Sequence, residues 1–177
     1  VVHLDGHPQY VGPREYPPEP DRLYRNNGDG TFTDVSQESG VGRHAGTGMG
    51  IVAADFDQDG DTDMFVLNDV ASNFLFRNDG SGRFEEVGLV SGFACNGLGD
   101  ELGSMGIDCG DYDNDGWLDL FMTSYQNELP VLYRNLGNGS LEDVTIRTGA
   151  GEGCFPYVNW GTGLVDLDND GDRDLFV

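Results

Sequence analysis

Lysine is missing from this 177-residue chain, and basic residues number only 9 against 32 acidic ones. A formal net charge of −23 leaves no basic footprint for a phosphate backbone, which excludes nucleic acid as a partner and argues equally against an anionic membrane surface. Self-repulsion of that size must be neutralised or spread thinly, and cations are the natural counterpart. Apolar runs of about 18 residues are also lacking, so no segment is predicted to cross a bilayer as a helix. Cysteine is scarce: Cys95, Cys109 and Cys154 permit at most one internal disulfide and leave an odd thiol, so the count leaves the redox compartment open. Helical periodicity of useful length is absent.

The opening residues, "VVHLDGHPQY", carry neither an initiator Met nor the basic-then-apolar pattern of a signal peptide, and read as a processed chain or a piece of a longer one. His3 and His7 are separated by Gly6 and followed by Pro8, which argues against a helix and places both in a loop. No Ser, His and Asp set or Cys and His pair falls in a recognisable catalytic arrangement. The "GSMG" at 103–106 falls short of the Gly-x-Ser-x-Gly of a nucleophile elbow.

Repetition is what the chain does have. "LYRNNGDGTFTDV" at 23–35 returns as "LFRNDGSGRFEEV" at 75–87 and "LYRNLGNGSLEDV" at 132–144. "DFDQDGDTDMFV" at 55–66 returns as "DYDNDGWLDLFM" at 111–122 and "DLDNDGDRDLFV" at 166–177. Two unrelated motifs sharing a period of about 55 residues are hard to obtain from composition bias. The first reads as a hairpin with an Asn-x-Gly-x-Gly turn, the second as two strands joined by an aspartate loop. Four short strands per repeat predict an all-β chain of β-propeller blades with four antiparallel strands each.

The register gives about three blade equivalents, open or completed by another chain. A Pro-rich extended lead covers 1–22. A half blade with strands 3 and 4, and a linker, covers 23–47. Full blades with the first and second aspartate loops cover 48–103 and 104–160. A half blade with strands 1 and 2 and the third loop covers 161–177.

The loops pose a coordination problem. Asp55, Asp57, Asp59 and Asp63 stand at positions 1, 3, 5 and 9 of the first loop. Asp111, Asp113, Asp115 and Asp119 fill the second, and Asp166, Asp168, Asp170 and Asp174 the third. A Gly at position 6 permits the sharp turn, and Asp61, Trp117 and Asp172 at position 7 contribute only a backbone carbonyl, which leaves that side chain free to vary. Oxygen ligands in this number on a flexible loop suit Ca2+ better than Mg2+, so about three Ca2+ sites are predicted. An EF-hand is excluded because position 12 is Val66, Met122 or Val177 rather than Glu, and the flanks are strands.

These residues resemble the FG-GAP or VCBS repeat of the integrin α-subunit propeller and many bacterial surface proteins. The stretch "QYVGPREYPPEPDRLYRNNGDGTFTDV" is similar to the cartilage acidic protein and ASPIC/UnbV-type branch. The resemblance implies a Ca2+-binding propeller in an extracellular, cell-surface or periplasmic setting, with the loop between two inner strands of each blade. Family propellers have about seven blades, against about three here.

The expected function is a non-enzymatic, secreted calcium-binding repeat module with a structural or adhesive role. Its partners would be calcium, other proteins, or further copies of itself at open blade edges. One alternative is a self-assembling filament subunit whose half-blades complete each other in successive copies; a lesser one is a propeller-hosted enzyme. "NGS" at 138–140 is a formal glycosylation acceptor at Asn138, but its residues also have a turn role. Arg25, Arg77 and Arg134 recur beside the hairpin Asn and are placed to pair with carboxylates of the same or an adjoining blade.

Overall fold

The computed structural model describes residues 11–177 and, before them, the backbone of 2–4 and 7–9. Strands β1 (Val2–Leu4) and β2 (His7–Gln9) pair antiparallel, so His3 and His7 lie in a small hairpin rather than the expected loop. Gly6 and Pro8 argue against a helix but not against antiparallel pairing of two short extended segments. A 3-10 turn at Pro13–Glu15 follows. Strand β3 (Glu19–Pro20) runs beside a later segment, and β4 (Tyr24–Asn26) and β5 (Phe32–Asp34) form a two-stranded hairpin. Strand β6 (Ala45–Gly46) is the partner of β3.

Two four-stranded antiparallel sheets make the body of the molecule. The first contains β7 (Gly48–Ala54), β8 (Asp63–Asn68), β9 (Phe74–Asn78) and β10 (Phe84–Glu86), hydrogen-bonded in sequence order. The second repeats that meander with β11 (Ile107–Gly110), β12 (Asp119–Met122), β13 (Val131–Asn135) and β14 (Leu141–Asp143). Strands β15 (Gly163–Val165) and β16 (Asp174–Phe176) form a further pair. The chain is all-β, with propeller-like blades and no closed barrel among the described residues.

The core lies between the blades. Phe65, Leu67 and Leu75 of the first sheet pack with Leu120, Met122, Val131 and Tyr133 of the second, and Phe93 from the intervening loop joins them. The edge-to-face approach of Phe65 and Phe93, with centroids 5.1 Å apart, adds to the burial. The first strands of successive blades touch, β7 against β11 and β11 against β15. That closeness requires glycine: a Cβ at Gly50 would overlap the Met105 carbonyl oxygen, and one at Gly106 would overlap the carbonyl oxygen of Trp160.

Each hairpin is followed by one helical turn: α1 (Ser36–Ser39), α2 (Gly88–Ser91) and α3 (Thr145–Thr148). Four residues are too few for a hydrophobic period to show. The turns are held locally, as where Leu132 N donates to Thr145 Oγ1 at 2.9 Å. Cys95, Cys109 and Cys154 are free thiols. No helix among the described residues is long and apolar enough to cross a membrane.

Candidate metal centre

Each aspartate loop starts one residue after an inner strand and ends on the first residue of the next. Asp55 follows β7 and Asp63 opens β8; Asp111 follows β11 and Asp119 opens β12; Asp166 follows β15 and Asp174 opens β16. The backbone turns left-handed at position 4, with φ of 59° at Gln58, 58° at Asn114 and 63° at Asn169. It does so again at position 6, with φ of 94° at Gly60, 92° at Gly116 and 101° at Gly171, where a side chain would be strained.

Backbone amides fix most of the carboxylates. The position-1 carboxylate accepts the position-6 N–H at 3.1 Å in the first loop, 2.8 Å in the second and 3.1 Å in the third. Position 5 accepts from position 7: Asp61 N to Asp59, Trp117 N to Asp115 and Asp172 N to Asp170. Position 9 reaches across its own loop, with Phe56 N donating to Asp63, Tyr112 N to Asp119 and Leu167 N to Asp174. Its other oxygen in the two full blades accepts from the hairpin motif, Asn78 N to Asp63 Oδ1 and Asn135 N to Asp119 Oδ1, both at 2.8 Å.

Position 9 is therefore both a buried charge and a clamp. Asp63 and Asp119 are fully buried. Burial pushes the Asp119 carboxyl up to about 6 against the pull of its two amide donors, and raises Asp63 for the same reason. A cation beside such a group would favour its charged form.

The loops differ in which carboxylates they gather. Oxygens of Asp55, Asp57 and Asp63 lie within 4.8 Å of one another, as do those of Asp166, Asp168 and Asp174. The second loop instead gathers Asp111, Asp113 and Asp115. Asp59, Asp170 and Asp119 stay outside these groups, as do Asp61 and Asp172. Asp55 Oδ1 and Asp57 Oδ1 are buried with no hydrogen-bond partner, the state expected of oxygens that face a cation. Hard oxygen donors of this kind fit Ca2+.

Position 7 is less free than its varied identity suggests. Trp117 lies against the hairpin turn of its own blade, where a Cβ at Gly137 would meet the indole Cε2 at 2.6 Å. Asp61 takes the matching place over Gly80. Position 4 links neighbouring loops: Gln58 Nε2 donates to Gly116 O, and Asn114 Nδ2 to Asp172 Oδ1, both at 2.7 Å. Position 2 packs between blades, with Phe56 and Tyr112 in the two main clusters.

Arginines of the hairpin motif do pair with carboxylates. Arg25 meets Glu38 and Arg77 meets Glu85, whereas Arg134 turns into the second loop. Asn138 is exposed, and its Oδ1 accepts Ser140 N at 3.1 Å, which engages it in the hairpin turn.

A model of the FG-GAP-like repeat matches residues 4–66, 55–122 and 111–177. Cartilage acidic protein 1 of Xenopus tropicalis is 27% identical over 175 residues, covering 89% of this chain and 25% of the relative. The Homo sapiens protein of the same name is 28% identical over 169 residues, covering 89% of this chain and 24% of the relative. The chain thus spans about a quarter of the length of the curated relatives it matches.

Proposed function

The chain belongs to the FG-GAP-like repeat family, and on that premise we propose that it is a non-enzymatic, extracellular calcium-binding module that serves a structural or adhesive role. The observation that carries this reading is the pair of buried, unpartnered oxygens on Asp55 and Asp57, held between strands that need the loop for their register. Asp55, Asp57, Asp59 and Asp63, Asp111, Asp113, Asp115 and Asp119, and Asp166, Asp168, Asp170 and Asp174 would hold the cations, with carbonyls from Asp61, Trp117 and Asp172. Bound Ca2+ supplies compensating charge and crosslinks the two strands that each loop joins. The protein's own part is positional, because backbone amides orient the carboxylates before any cation arrives.

Likeness to proteins named for cartilage and acidity supports an extracellular setting, as does a net charge that calcium would offset. The half-blade boundaries at 23–47 and 161–177 are part of the same proposal, with protein partners or further copies of the chain at open blade edges. Calorimetric titration with Ca2+ after EDTA treatment tests the reading. Binding at about 10⁻⁴ to 10⁻³ M or tighter is expected, and no heat at millimolar Ca2+ overturns it. Electron microscopy of the native particle separates discs from the fibres that a filament subunit would form.

A further inference from the structure

The second loop already contains a cation of the chain's own making. Arg134, on β13, places Nη2 2.8 Å from Asp115 Oδ2, and its Nε lies 2.6 Å from Asp113 Oδ2 in an electrostatic contact whose angle is not that of a hydrogen bond. The side chains are 33% exposed for Arg134, 25% for Asp113 and 27% for Asp115, so solvent screens this cluster less than the 46% and 71% of Arg77 and Glu85.

Arg77 is the matching residue of the preceding blade, and it makes the ordinary choice. It pairs at 2.8 Å with Glu85, the residue opposite it in the β9–β10 register. Arg134 has the same option, since Glu142 lies opposite it in the β13–β14 register. Glu142 is instead met by Arg147 at 3.5 Å. The second loop is also the one that gathers positions 1, 3 and 5, whereas the other two gather 1, 3 and 9. A guanidinium bridging positions 3 and 5 accounts for that difference: it draws Asp115 toward Asp113 and Asp111, and leaves Asp119 to its two amides.

Resting on the calcium reading above, we propose that Arg134 is a tethered counter-cation of the second loop, which a divalent ion must displace toward Glu142, so that this loop fills last of the three. The loop offers four carboxylates against five in each of the others, with Trp117 where they have Asp61 and Asp172, although Arg173 brings the third loop to the same net charge; an arriving ion must in addition release a guanidinium held by two carboxylates. Arg134 thereby sets the affinity of one site without ligating the ion.

Trp117 gives that loop its own reporter. In a Trp160→Phe background it is the sole tryptophan, and Tb3+ in the second loop will be sensitised through it. Total Tb3+ uptake is followed by calorimetry on the same protein. The expected result is Trp117-sensitised emission that rises only after the first calorimetric phase, and that shifts to about fivefold lower Tb3+ in Arg134→Gln. Glu142→Gln, which removes the landing partner, should shift it the other way. Emission at unchanged or higher Tb3+ in Arg134→Gln overturns the inference and leaves the calcium reading standing, and a brace needed for ligand geometry would give that result. Should Arg134→Gln fail to fold, Glu142→Gln decides: unchanged or tighter binding overturns the inference. Absence of both heat and emission in the parent overturns the two together.

Discussion

Asn135 donates its backbone N–H to Asp119 Oδ1 at 2.8 Å, and so ties the hairpin motif to the aspartate loop. Its side chain extends the tie, with Nδ2 donating to Phe56 O at 2.9 Å in the preceding loop and to Leu118 O at 3.2 Å in its own. Asn78 repeats the arrangement with Asp63 and Thr62. The two sequence motifs share a period because each blade needs both halves of one hydrogen-bonded unit.

Replacing Asn135 by Ala leaves the buried Phe56 carbonyl and the half-buried Leu118 carbonyl without their side-chain donor, and the Gly137 N–H without its acceptor, while keeping the backbone bond to Asp119. Unfolding in urea is expected to show a loss of about 2 to 3 kcal/mol. Asn78→Ala should cost less, because Asn78 is only half-buried and its Nδ2 donates to Thr62 O alone, with no reach into a preceding loop. Equal losses would mean that the reach to Phe56 contributes nothing.

Asp57→Asn should act in opposite directions with and without calcium. In EDTA it removes one of several crowded charges in the first loop, and the melting temperature should rise. In excess Ca2+ it removes a ligand, and the melting temperature should fall below that of the parent. Thermal melts of both proteins in both buffers check the crossing.

Gly106→Ala places a methyl group on the Trp160 carbonyl oxygen and must push apart the segments that lead into β11 and β15, at about 1 to 3 kcal/mol. The denaturation midpoint of the variant against that of the parent checks the loss.

Asp69 and Glu128 flank Gly103 from adjoining blades, with Gly103 N bound to Glu128 Oε2 at 2.8 Å. Burial first, and Glu128 second, raise the Asp69 carboxyl above its ordinary 3.8. Because the folded value is the higher one, the stabilising contribution is full below 3.8 and is lost as pH climbs through the raised value. Asp69→Asn should therefore be more stable than the parent at neutral pH and lose that advantage below pH 4. Urea midpoints across that range, with Ca2+ held constant, test the sign.

Much of this was legible because the repeats average out local ambiguity. One "DYDNDGWLD" is an acidic turn, but three such loops in step with three hairpins require a blade, and the strands stand where the apolar runs placed them. The helical turns after Val35, Val87 and Val144 were not legible, because four residues carry no period. Trp117 was read as unconstrained because position 7 varies, yet its side chain covers a glycine 20 positions away that only the folded hairpin brings near. Arg134 and Arg77 occupy one motif position, and only the contacts between elements separate their roles.

The contacts of Gly50, on β7, with Met105 just before β11, and of Gly106 with Trp160 ahead of β15, have a consequence for how such a chain can lengthen. Each unit carries a socket on one side, the bare face of Gly50 or Gly106, and a plug on the other, the carbonyl of Met105 or Trp160. Copying about 55 residues copies both, so a duplicated unit arrives already shaped to its neighbours and needs no second change to fit.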